Sequence, residues 1–256
     1  MIDYKTILFK YLIAVPLLLI FILKDRHTPA NKSLQAQQWS LIPGIALIAI
    51  AMSNTIIQAF WNRIPVLQNY SPSTAHWLTV VFFYYTFVLG LGFASLYYVY
   101  KVSIIETFKL RLNYLPFILK ICFFLLLANI LSTHFLGINL LLSPPKFQIE
   151  AIKSMDLKIF LWFAFLSIFL GPIVEEVVYR GIVYSPIYRK LGKGIAVILT
   201  SMLWTYGHSQ DLVGSVNIFV FGVILAWLYD RSGSLLHPII LHSFRNSWII
   251  IYYVQK

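Results

Sequence analysis

The chain has 256 residues, of which 59% are hydrophobic, 17% aromatic and only 11% charged, where an ordinary soluble domain carries roughly 25% charge. The deficit of charge runs the whole length. It excludes a soluble globular fold and leaves an all-α, polytopic membrane bundle with no soluble second domain. The formal net charge of +11 does not indicate nucleic acid, because the basic residues fall in short connections between apolar runs, as they do beside membrane spans. No basic stripe on a soluble face is there to meet phosphates.

Crossing the hydrocarbon core takes about 20 apolar residues. The first such run is 7–23, with Lys5 and Lys10 before or within its first turns. Lys24, Asp25 and Arg26 follow it without a small-residue cleavage site, so it reads as a retained helix and not as a signal peptide. A second span, 39–61, is bracketed by Trp39 and Trp61, and tryptophan favours the membrane interface. The connection 62–76, with Pro65 and Pro72, reads as irregular. A third span, 77–100, is uncharged and ends in tyrosines. Residues 101–113 mix charge with apolar side chains and fit a short interfacial helix.

The fourth span lies within 116–142 and contains the single cysteine, Cys122. One cysteine excludes an intrachain disulfide and a CxxC metal site. Ser143, Pro144 and Pro145 break this helix. Span five is expected at 159–184, a basic turn at 189–193, span six at 194–208, span seven at 212–229 and span eight at 235–254. The expected count is therefore about eight, in one integrated membrane domain. Residues 1–150 supply about four helices with little polar chemistry inside them. Residues 151–256 hold nearly all of it.

That chemistry comes in three groups. The first is Glu175-Glu176-x-x-x-Arg180 in span five. An acid or arginine at the centre of a membrane helix costs roughly 2.5–3.5 kcal/mol on insertion scales, so three within six positions point to a function. Glu176 and Arg180 are four apart and share a helix face, so they can pair. Glu175 is turned away by about 100° and can face a water or a substrate. One carboxylate held by arginine and one less compensated is how a base arises in a desolvated site. A structural ion pair is the plainer alternative.

The second group is Trp204 and His208, one helical turn apart, with Trp204 able to wall a site. The third is His242 and Asn246, four apart on span eight, both able to donate hydrogen bonds toward one point. A pair gluing helices together is the alternative there. Arg245, between them on a neighbouring face, fits a carboxylate or headgroup better than chemistry. His27, His76, His134 and His237 are set aside as loop, isolated or helix-start residues.

A base, an arginine, two histidines and an amide suit water activation and oxyanion stabilisation, and hence hydrolysis. Glutamate and histidine also suit zinc. The His-Glu-x-x-His pair of zinc metalloproteases and the Gly-x-Ser-x-Gly of a serine elbow are both absent. So is a pair of span aspartates.

Taken in order, Glu-Glu-x-x-x-Arg, aromatic-x-x-x-His and His-x-x-x-Asn resemble the CAAX-protease and bacteriocin-processing (CPBP, or Abi) family, which includes the type II CAAX prenyl endopeptidases. The resemblance covers about residues 157–254. It implies an eight-helix intramembrane endopeptidase in a bacterial cell membrane, acting on a membrane-bound or lipidated peptide. It also implies residue roles. Glu175 and His208 activate the attacking water, His242 and Asn246 stabilise the oxyanion, and Glu176 and Arg180 support the glutamate motif. The second motif of the family usually begins with Phe, where this chain has Trp204. That change alters the size of the site wall more than its chemistry. No cofactor is expected. A divalent metal such as zinc, held by Glu175, His208 and His242, stays open beside that expectation. Two rival functions are a non-catalytic immunity or signalling factor that binds a peptide, and a proton-coupled transporter. The absence of inverted repeats tells against the transporter.

Overall fold

The computed structural model describes residues 74–136, 155–208 and 212–255. The spans expected at 7–23 and 39–61 lie outside the described residues, as does the end of the fourth. Among the described residues every regular element is helical. Three stretches, Val81–Val99, Ile104–Leu127 and Leu157–Tyr206, are long and apolar enough to cross a membrane. The chain is a multi-pass integral membrane protein.

Helix α1, Thr74–Ala94, continues as a π-helical turn over Ser95–Val99 and accounts for the third expected span. The short α2, Ile104–Thr107, is capped by Ser103, whose side chain accepts from the Glu106 amide. It falls within 101–113, where a short helix is expected. Leu115–Leu136 form α3. Asp156 opens α4, Leu157–Phe165, by accepting the Ile159 amide at 3.0 Å. That serves one of the four orphan donors at a helix start. A π-helical turn, Leu166–Leu170, then leads into α5, Gly171–Glu176, and a second π-helical stretch, Val177–Tyr184, follows.

Helix α6, Ser185–Tyr206, departs from expectation at its start. The basic segment 189–193 is not a turn throughout; the helix runs on to Leu191 and breaks at Gly192 alone, where φ is 83°. Only glycine adopts that backbone without a Cβ penalty. Lys193 then reaches back to Asp230 at 2.8 Å, and the Tyr184 hydroxyl donates to the other Asp230 oxygen at 2.9 Å. Both sides of the break are thereby tied to the end of α7, Leu212–Ser232. The last helix, α8, is Leu236–Gln255. Its first turn is held by His237, which is buried against the Arg111 backbone and the Tyr114 ring. This gives His237 a structural place remote from the carboxylates.

Polarity is inverted relative to a soluble protein. Phe83, Phe87, Tyr98, Phe123, Phe124 and Phe169 are exposed on the outside, while Glu176, Arg180, Asp230 and His242 are buried. In lipid, helix association relies on close van der Waals fit and polar ties, since apolar surface gains little by leaving hydrocarbon. Gly92 shows the close fit: a Cβ there would come 2.7 Å from Cγ1 of buried Val177. Gly92→Val is expected to push α1 off the second π stretch and cost about 1–3 kcal/mol. The check is the midpoint of denaturation in mixed micelles, where an unchanged midpoint would mean that the contact relaxes freely.

Candidate active site

Two consecutive carboxylates on a helix must point in different directions, and here they separate two networks. Glu176 turns inward and is fully buried. Its Oε1 accepts from Arg180 Nη1 at 2.9 Å and lies 3.0 Å from His242 Nδ1. Arg180, equally buried, also donates from Nη2 to the Gly222 carbonyl of α7 at 3.1 Å. A buried ion pair is held in place by added hydrogen bonds, and here two other helices each contribute one, His242 to the carboxylate and Gly222 to the guanidinium. Glu176 Oε2 and Arg180 Nε are left without a hydrogen-bond partner among the described residues. With Glu176 ionised against Arg180, His242 Nδ1 must be the donor, so its Nε2 faces the second carboxylate.

Glu175 retains 23% side-chain exposure, and its Oε2 accepts the indole N–H of Trp204 at 2.5 Å. Two imidazoles address that same oxygen: His208 Nε2 at 3.8 Å and His242 Nε2 at 3.9 Å. His208 Nδ1 is 2.8 Å from the Trp204 carbonyl, which can only accept. Nδ1 therefore carries the proton, and Nε2 is the acceptor atom of the neutral ring. A carboxylate and an imidazole acceptor facing each other at 3.8 Å are too far apart for a direct hydrogen bond. They are spaced to share a small donor between them.

The π-helical turn before α5 explains where Asn246 goes. In that turn the Gly171 amide bonds to the Leu166 carbonyl, five residues back. The next bond in the same register would run from residue 172 to the Ser167 carbonyl, but Pro172 has no N–H. Asn246 Nδ2 donates to that freed carbonyl at 2.9 Å. One amide N–H is thus used to tie α8 to the glutamate helix.

The structure brings Glu175, Glu176, Arg180, Trp204, His208 and His242 into one cluster, with Asn246 one turn along α8. Arg245 lies over the Phe221 ring at 4.8 Å. Sequence reasoning missed three participants. The Trp204 indole was expected as a wall and is also a donor. The Ser167 carbonyl was detectable in principle, since it stands five residues before a proline. Gly222 carries no local signal of its partnership with Arg180. A zinc ion draws its ligands to about 2.0–2.2 Å. The candidate set of Glu175, His208 and His242 has suitable donor types but shares one carboxylate oxygen already bonded to an indole N–H. Among the described residues no group of three or more His, Cys, Asp or Glu is arranged to hold a metal ion.

Comparison with known proteins places this cluster in context. Residues 157–248 match the family described as type II CAAX prenyl endopeptidase Rce1-like. The chain is 27% identical over 103 residues to "Putative membrane peptidase YdiL" of Bacillus subtilis, covering 40% of each chain. It is 28% identical over 110 residues to "Membrane-embedded CAAX protease MroQ" of Staphylococcus aureus, covering 40% of this chain and 43% of that one. An "Uncharacterized 24.3 kDa protein" of Escherichia coli is 34% identical over 82 residues, 30% of this chain and 38% of that one. The chain thus spans about two fifths of the length of the relatives it matches. No solved structure matches.

Proposed function

We propose that this chain, whose residues 157–248 match the family described as type II CAAX prenyl endopeptidase Rce1-like, is an intramembrane endopeptidase. It hydrolyses a peptide bond in a membrane-associated or lipidated peptide, with water activated by Glu175 and His208. The observation that carries the reading is the convergence of His208 Nε2 and His242 Nε2 on the Glu175 carboxylate. The Glu175 carboxylate and the His208 Nε2 acceptor, so placed, bind a molecule with two hydrogens to give. Water meets that need, and it is the nucleophile of hydrolysis.

In this reading the water oxygen attacks the scissile carbonyl carbon while Glu175 takes its proton, with His208 orienting the other hydrogen. His242, held by Glu176, and the second N–H of Asn246 stabilise the oxygen that becomes negative. The proton on Glu175 passes to the amide nitrogen as the C–N bond breaks, leaving an amine and a carboxylic acid, which then releases its own proton. Trp204 lines the floor of the site. Residues 1–150 would help to form the surrounding bundle and residues 151–256 the catalytic core.

No metal is required for any of these steps. Exhaustive chelation of the purified protein is expected to leave its cleavage rate unchanged. A loss that zinc alone restores would overturn the metal-free reading.

The deciding experiment is mass spectrometry of membrane peptides from cells carrying wild-type or Glu175→Gln protein. The expected result is a peptide that accumulates uncleaved only with the variant, which names both substrate and bond. Indistinguishable peptide profiles, with both proteins equally abundant, would reject the reading.

A further inference from the structure

Among the side chains around Glu175, Trp204 is held on several sides. Its side chain is fully buried. The Arg180 guanidinium stands 5.0 Å from its ring, and the rings of His208, His242 and Phe221 lie 4.7, 5.3 and 6.1 Å away. Its remaining edge meets Gly222, where a Cβ would come 2.9 Å from Cε3 and 3.2 Å from the Ser201 Cβ. The indole fits there because residue 222 has no side chain. A ring held on so many sides cannot reorient, so the direction of its N–H is set by the fold.

That N–H points at Glu175 Oε2. A glutamate has three rotatable bonds, and at 23% exposure Glu175 is not confined by packing alone. An indole N–H is donor only, so it can fix a carboxylate oxygen without competing for a proton. The same ring lies against the Arg180 guanidinium and bonds to Glu175, so it couples the placement of Glu175 to the buried ion pair.

We propose that Trp204 is a positioning residue for Glu175. Its indole N–H, in a slot that Gly222 keeps open, pins Oε2, the oxygen that faces both imidazoles, and so holds the carboxylate in place for the reacting water. The proposal rests on the endopeptidase reading above, but its physical core, an N–H held on a carboxylate, can be measured without any substrate.

The test replaces Trp204 with 3-benzothienylalanine, which keeps the two-ring outline and puts sulfur in place of the N–H. A hydrogen bond to a charged group is worth enough to slow the chemical step about 10- to 100-fold when lost. The expected result, on the peptide that accumulates with Glu175→Gln, is a fall in kcat of that size with KM and the denaturation midpoint unchanged. A merely structural role would move the midpoint and spare kcat. Trp204→Phe should slow the enzyme similarly, and Gly222→Ala should slow wild type but add little to Trp204→Phe, since the smaller ring leaves room for a methyl group. In parallel, the indole N–H resonance of Trp204 in 15N-labelled protein should shift when Glu175 is changed to Ala. An unmoved resonance, or a benzothienyl variant as fast as wild type, overturns the proposal. If wild type cleaves nothing while the resonance does shift, the endopeptidase reading fails and the hydrogen bond stands.

Discussion

Glu175→Gln is expected to slow peptide hydrolysis by about 10²–10⁴-fold, the usual share of a positioned general base, in a protein that folds and extracts normally. Glutamine keeps the length of the side chain and a carbonyl oxygen for the Trp204 N–H. What it loses is the ability to take a proton from water. His208→Ala should fall in the same range, and the double variant should be no worse than the slower single one, because the two groups act on one molecule of water. Single-turnover cleavage in detergent micelles, followed by mass spectrometry, makes the measurement. Retention of more than a tenth of the rate in Glu175→Gln would remove the carboxylate from the chemistry.

The second large effect concerns the buried pair. Arg180→Met leaves the Glu176 carboxylate at zero exposure without its counter-charge. Breaking a buried pair from one side costs about 3–5 kcal/mol. The variant should therefore show a much lower denaturation midpoint and reduced yield. Adding Glu176→Gln removes the stranded charge and keeps an acceptor for His242 Nδ1, so the double variant should recover most of the stability. If Arg180→Met alone is as stable as wild type, the pair contributes nothing that water or another side chain cannot replace.

Much of this arrangement was legible in the sequence, and the reasons differ by residue. Glu176 and Arg180 were readable as a pair because helical spacing fixes which positions face each other, and the structure joins them at 2.9 Å. The helices containing Trp204, His208, His242 and Asn246 were readable from apolar run length. Direction within the site was not. That Glu176 reaches His242, 66 residues away, depends on how α8 packs against α5, which no local pattern encodes. The donor role of Trp204 was hidden for a related reason: an aromatic residue in a greasy helix looks the same whether or not its nitrogen meets a carboxylate. The helical run past residue 189 was missed because clustered basic residues signal the membrane boundary, and a helix can extend beyond it.

The freed Ser167 carbonyl has a bearing on the order of assembly. Pro172 leaves this acceptor open in the glutamate helix, and its partner Asn246 lies 79 residues further on. The buried oxygen of Glu176 likewise waits for His242. During synthesis the glutamate helix enters the bilayer well before α8 has been made, with these acceptors still to be matched. The contacts of His242 with Glu176 and of Asn246 with the Ser167 carbonyl thus come into being only when α8 docks. A nascent chain carries both carboxylates into the bilayer before the histidine and asparagine that complete their surroundings have been made.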